Sequence, residues 1–206
     1  MATQLKERAG VIIHSCSAAS ALLVGTVATV PVFGPLGIIF GLDYPALTAI
    51  SIGMVVSLGK LFGRNYTTGA VMAAVTQLTG FVFGVSLMRG VVGIVPVVGA
   101  AINAGLVFTV TEILGWTTFL IFEEGRDITK MNKSKLKSYV KKGKKRAEQE
   151  RLTREALFAK LPPHVKAQYD YLTKKLANEK ATDQERQVIL NEIDQLLAPY
   201  KELSHT

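Results

Sequence analysis

One carboxylate stands alone in a long apolar run. Glu112 lies in VFTVTEILGWTTFLIF, residues 107–122, where its neighbours are aliphatic, aromatic, Gly or Thr. Such a group can pass protons or cations along a pore, or it can accept hydrogen bonds that hold helices together. A charged side chain at the centre of a bilayer costs ~2.5–3.5 kcal/mol on insertion scales, so it is expected to face the interior of a bundle. With the apolar segments flanking Gly93 folded as a hairpin, Gln77 is the polar residue expected opposite Glu112. Asn103 is the third polar residue assigned to the same interior. A single carboxylate with neither a basic partner nor a second acid favours the structural role over a conduction path.

Other chemistry is sparse. The chain has no G-x-S-x-G, G-x-G-x-x-G or H-E-x-x-H motif. Gly53 to Lys60 approaches a phosphate-binding loop, but its glycines are one residue too far apart. Leu61 stands where a magnesium-binding Ser or Thr is needed. Asn132-Lys133-Ser134-Lys135 approaches a guanine-reading motif but ends in Lys. His14, His164 and His205 share no ligand spacing, and Cys16 is the single cysteine, expected to be a small packing residue. The expectation is a non-enzyme with no catalytic residue, no metal site, no cofactor and no nucleotide chemistry of its own.

The elements that would position Glu112 follow from a split in composition. Before Glu123 the charged residues are only Lys6, Glu7, Arg8, Asp43, Lys60, Arg64, Arg89 and Glu112, whereas the remainder is densely charged. Four apolar segments are predicted, at about 11–32, 44–58, 67–88 and 97–122. A bilayer core needs about 20 helical residues, which the first, third and fourth supply and the second approaches. Lys6 and Arg8 before the first suit an uncleaved membrane helix better than a signal peptide. If all four cross, Lys6/Arg8, Lys60/Arg64 and the Lys-rich run after Arg126 fall on one side, which the positive-inside rule makes cytoplasmic, with both termini. Small residues at four-residue spacing, such as Gly80/Gly84, allow close helix approach, and Gly80, Gly84, Gly99, Gly105 and Gly115 are the packing candidates.

The fold class expected is all-α: a multi-pass helical membrane domain over 1–124, a basic juxtamembrane helix over 125–161 and a cytoplasmic helical hairpin over 162–206. Residues 128–146 hold nine Lys or Arg and no acid. Such a cluster beside a membrane helix attracts anionic headgroups at about 1 kcal/mol per charge. Lys137, Lys141, Lys142, Lys144, Lys145 and Arg146 are the headgroup candidates. Nucleic acid is disfavoured, because Tyr139 is the only aromatic residue in the run. Pro162-Pro163 breaks the helix, Val165, Tyr169, Leu172 and Leu176 mark one face of the next, and Thr182 with Glu185 forms a capping-box pattern. Val188, Ile193 and Leu196 lie on the last stripe and are the candidate contacts to a protein partner.

Asp43-Tyr44-Pro45-Ala46-Leu47, Ile52-Gly53-Met54-Val55-Val56 and Lys60-Leu61-Phe62-Gly63 resemble the YcjF-type domain of unknown function. So do Ile94-Val95-Pro96-Val97-Val98-Gly99, Ala101-Ile102-Asn103-Ala104-Gly105 and Thr111-Glu112-Ile113-Leu114-Gly115-Trp116. The resemblance covers about residues 25–124 and rests on packing motifs. It implies a bacterial, helical, membrane-associated protein, often linked to an Era-like GTPase. This chain has no GTPase domain, so such a link would run through a separate partner. The reading that follows is a multi-pass anchor, scaffold or assembly factor in the inner membrane or another bacterial-type internal membrane. It would touch anionic lipid and a protein partner, and it could form a homo-oligomer. The alternatives are an oligomeric channel using Glu112 and a protein that inserts reversibly and remodels membranes.

Overall fold

The computed structural model describes residues 2–27, 45–87 and 99–200, with side chains over 4–25, 45–82 and 104–200. The described residues are all-helical: α1 (Ala2–Val27), α2 (Pro45–Leu61), α3 (Thr68–Leu87), α4 (Gly99–Glu123), a 3-10 turn (Ile128–Lys130), α5 (Lys133–Lys160), α6 (Pro163–Leu176) and α7 (Asp183–Leu197). The expected turn near Gly93 lies outside the described residues, as do Leu36 and Asp43.

Helix α1 starts well before the expected Val11, because Lys6 and Arg8 are held by Glu150 of α5 and Asp194 of α7, both at 2.8 Å. Polar residues are carried in the apolar helices by local back-bonding. The hydroxyls of Thr111, Thr117 and Thr118 in α4 donate to the carbonyls of Val107, Ile113 and Leu114 at 2.9, 2.6 and 2.9 Å. Ser17 in α1 and Ser57 in α2 do the same, at 2.9 and 2.7 Å. A buried hydroxyl bonded to its own helix is not orphaned, whereas, among the described residues, Ser15 and Ser20 of α1 are buried without a hydrogen-bond partner. The α2–α3 turn passes through Gly63 at φ 68°, a left-handed backbone that glycine adopts without strain. Tyr66 then stacks on Phe122 of α4 at 5.6 Å between ring centroids, and its hydroxyl donates to Asp127 at 3.1 Å.

Asn132, part of the dismissed guanine-like motif, has a local role. Its side chain caps α5 by accepting from the Lys135 amide at 2.9 Å. Helix α5 buries Leu136, Val140, Gly143, Ala147, Glu150, Arg154 and Leu157, alternating steps of four and three residues along one face. That face lies along α4 and α1. A Cβ on Gly143 would collide with the Thr117 hydroxyl, and one on Gly10 with the Arg154 guanidinium. Pro163 opens α6, where its missing amide costs nothing. The Thr182/Glu185 capping box is formed at the start of α7.

The sequence divisions at 124/125 and 161/162 do not separate cores. One continuous apolar cluster runs from Ile13 and Cys16 through Trp116 and Phe119 to Leu136, Tyr169 and Ile193. Amphipathic helices with charged outer faces need an apolar surface to cover, and the nearest one is supplied by α1, α2 and α4. Among the described residues, two helices, over 4–25 and 104–123, are long and apolar enough to cross a membrane. A helix in a protein core meets the same criterion, and most of each is buried within the bundle.

Candidate functional site: the polar seam between α1, α4 and α5

Glu112 meets α1 and its own helix rather than Gln77. One carboxylate oxygen lies 3.2 Å from His14 Nδ1, and the other accepts the Trp116 indole N–H at 3.1 Å. Glu112 and Trp116 are four residues apart on one helix, the spacing at which side chains meet. The expected pairing with Gln77 fails because α1, not α3, is the helix packed most extensively along α4. Gly115 is the reason α1 comes so close, since an added Cβ there would stand 2.6 Å from Ile13 Cγ1.

The His14 ring stacks on Phe158 at 4.6 Å and meets the edge of Phe108 at 5.3 Å. Below it, Glu150 forms ion pairs with Lys6 at 2.8 Å and with Arg146 at 3.2 Å, while the Arg146 guanidinium lies over the Trp116 ring at 5.8 Å. Arg154 is buried against Gly10. Burial pulls its guanidinium below its ordinary range, and the charges of Glu112, Glu150 and Glu7 oppose that shift. The seam thus balances buried cations against buried carboxylates, the arrangement that makes a buried charge tolerable. With both oxygens engaged, Glu112 works as a bolt between α1 and α4.

The headgroup candidates divide. Lys137, Lys141 and Lys145 are exposed, and Lys144 is half-buried. Lys142 is tied to Glu124 at 3.1 Å, and Arg146 belongs to the seam. Among the packing glycines, Gly115 is in close contact. Gly80 and Gly105 face open space, and the surroundings of Gly84, Gly99 and Asn103 lie outside the described side chains. Of the partner stripe, Ile193 is fully buried in the intramolecular core and Leu196 packs against that core, so only Val188 remains exposed, at 51%. Val188 lines a groove of about 610 Å³ at the α6–α7 turn with Lys175, Lys180, Thr182 and Glu192.

Sequence reasoning missed His14, Trp116, Glu150, Arg154, Gly10 and Gly143 as members of one site. Gly143 gave a usable signal: a glycine inside a Lys-rich helix, in step with Leu136, Val140 and Ala147. Comparison with protein-family models, with curated proteins and with solved structures finds no match.

Proposed function

We propose that the protein is a non-enzymatic membrane anchor or scaffold that presents α6 and α7 to a protein partner on the cytoplasmic side. The observation that carries this reading is a polarity along the bundle. The polar and close contacts between the charged helices and the apolar ones fall on residues 6–14 of α1, 53–60 of α2, Thr68 at the start of α3 and 116–124 at the end of α4. Helices α1 and α4 are antiparallel, since Ile13 meets Gly115 and His14 meets both Glu112 and Phe108. The end of α1 and the start of α4 therefore point the same way. Neither 17–27 nor 99–111 contains a charged residue, and the connections 28–44 and 88–98 contain only Asp43 and Arg89. A nearly charge-free end of this kind suits the hydrocarbon of a bilayer.

The exposed lysines supply attraction to anionic headgroups. The groove around Val188 is the partner surface in this reading, and the YcjF-type resemblance makes a separate GTPase the first partner to test. The bolted state of Glu112 favours a structural acid over the channel alternative. Topology is tested in a Cys16→Ala background. Cysteines introduced at Leu36 or Val92 are expected to label from outside, and those at Asn65 or Ser134 only after permeabilisation. Outside labelling at Ser134 defeats the four-pass arrangement. Complete release of the protein from membranes by alkaline carbonate defeats the integral anchor.

A further inference from the structure

Helix α5 is docked where a membrane-spanning α4 could not keep it. The apolar window of α4 is 104–123, so Glu112 stands close to its middle. At that level α5 lies against α4 and α1 through Gly143 on Thr117, Arg146 over Trp116, Arg154 on Gly10 and Phe158 on His14. Its outer face carries Lys141, Lys145, Glu148, Arg151 and Glu155, all exposed. If α4 crosses a bilayer with α5 docked, those charges enter the hydrocarbon, where unpaired ionised groups are rare and costly. If α5 swings away about the 124–132 connection, Lys133 to Arg146 follow directly on the end of α4. They then lie at the headgroup level, where each cation is attracted to anionic lipid.

We propose that α5 is a releasable strap: docked, it holds α1 and α4 in a water-compatible bundle, and an anionic bilayer surface releases it so that α4 can span. This rests on the membrane-anchor reading. The docked state buries Leu136, Val140, Ala147 and Leu157 of α5 in the shared core, while Lys6–Glu150 and Lys142–Glu124 fasten its rim. The rim pairs exchange for lipid phosphate, and the apolar face of α5 exchanges the core for the acyl-chain boundary, as an amphipathic surface helix does. Cys16, the only cysteine, is fully buried on α1 near Glu112, Tyr169 and Arg186, so it is uncovered when α6 and α7 leave with the strap.

The test uses the full chain with vesicles of phosphatidylcholine alone or with phosphatidylglycerol. Two readings are taken on floated protein: zero-length carbodiimide coupling of Lys6 to Glu150, and alkylation of Cys16. With anionic vesicles the Lys6–Glu150 cross-link is expected to fall by at least about tenfold, as the freed lysines gain surface attraction. Cys16 becomes reactive in parallel, and high salt reverses both before insertion. Gly143→Leu, which wedges α5 off Thr117, and Lys6→Glu, which breaks the rim without touching the core, should expose Cys16 without lipid. Both should keep their helical circular dichroism and float more readily. Floated wild-type protein that retains the full cross-link overturns the strap and leaves the anchor intact. Wild type and both variants failing to float overturns the anchor and the lipid-released state together.

Discussion

The two halves of the chain are built on opposite patterns. Helices α1 to α4 are apolar on nearly every side, so their sequences carry little information about which face meets which neighbour. Helices α5 to α7 are striped, and the stripe fixes the buried face before any partner is known. In α6 it predicts Val165, Tyr169, Leu172 and Leu176, and all four are buried. In α4 nothing comparable distinguishes the side that meets α1 from the side that meets α3. The striped helices nevertheless cover the unstriped ones, and one core results. Hydropathy identifies apolar helices, but it does not say whether lipid or another part of the same chain covers them.

The largest test of that shared core removes one side chain from each half. Trp116→Ala is expected to cost about 3–5 kcal/mol and Ile193→Ala about 2–5 kcal/mol. Both follow from full burial, at 1% and 0% exposure. Chemical denaturation measures the cost, and hydrogen exchange shows how far it spreads. If Ile193→Ala weakens protection only after residue 162 and leaves α1 untouched, the two halves are independent and the comparison breaks.

The next test concerns Tyr169, which packs on Phe158, the ring that in turn stacks on His14 of α1. Burial pushes its hydroxyl up from 10.0 to about 12. A raised pKa means that the folded protein holds the proton more tightly than the unfolded chain. The associated stability is complete below pH 10 and is lost as pH rises through about 12. Tyr169→Phe should therefore remove a loss of stability between those values, seen as a smaller difference between denaturation midpoints at pH 9 and pH 11.5. An identical alkaline profile in the Phe variant would place Tyr169 in a wetter site.

Glu112 sharpens the comparison within α4. Glu112→Gln keeps an acceptor for the Trp116 indole and should be tolerated. Glu112→Leu leaves that buried N–H and His14 without their partner and is expected to cost about 1–3 kcal/mol. Equal stability of the Gln and Leu variants would remove the bolt, and loss of an ion flux in the Gln variant alone would revive the channel. Smaller effects belong to the hairpin tip. Thr182→Ala breaks the capping box and should cost about 0.5–2 kcal/mol, mostly as fraying of α7. Val188→Ala, on the surface, should stay within about 0.5 kcal/mol. It should still weaken capture of a partner docking in the adjacent groove, and unchanged capture would move that contact elsewhere.

The positions of the helices and the buried face of α6 were legible from the chain itself, because periodicity, Pro162-Pro163 and Thr182 act through neighbours a few residues away, whereas the capping role of Asn132, the buried face of α5 and the exposure of Val188 were not. The ends of α2, α3 and α4 fall within about three residues of their expected positions. The start of α1 was not legible, because the first turns are held by Glu150 and Asp194, more than 140 residues further along the chain. The same limit applied to the site. A carboxylate among apolar residues announced that it needed a partner, and sequence spacing suggested Gln77. Only the packing of α1 on Gly115 brought His14 to Glu112, and only the gaps at Gly10 and Gly143 let Arg154 and the whole of α5 approach. Local interactions set where helices begin, end and turn their faces. Which apolar face receives which striped helix depends on shape at a few glycines and on charges that meet across the fold, and tertiary structure alone decided that.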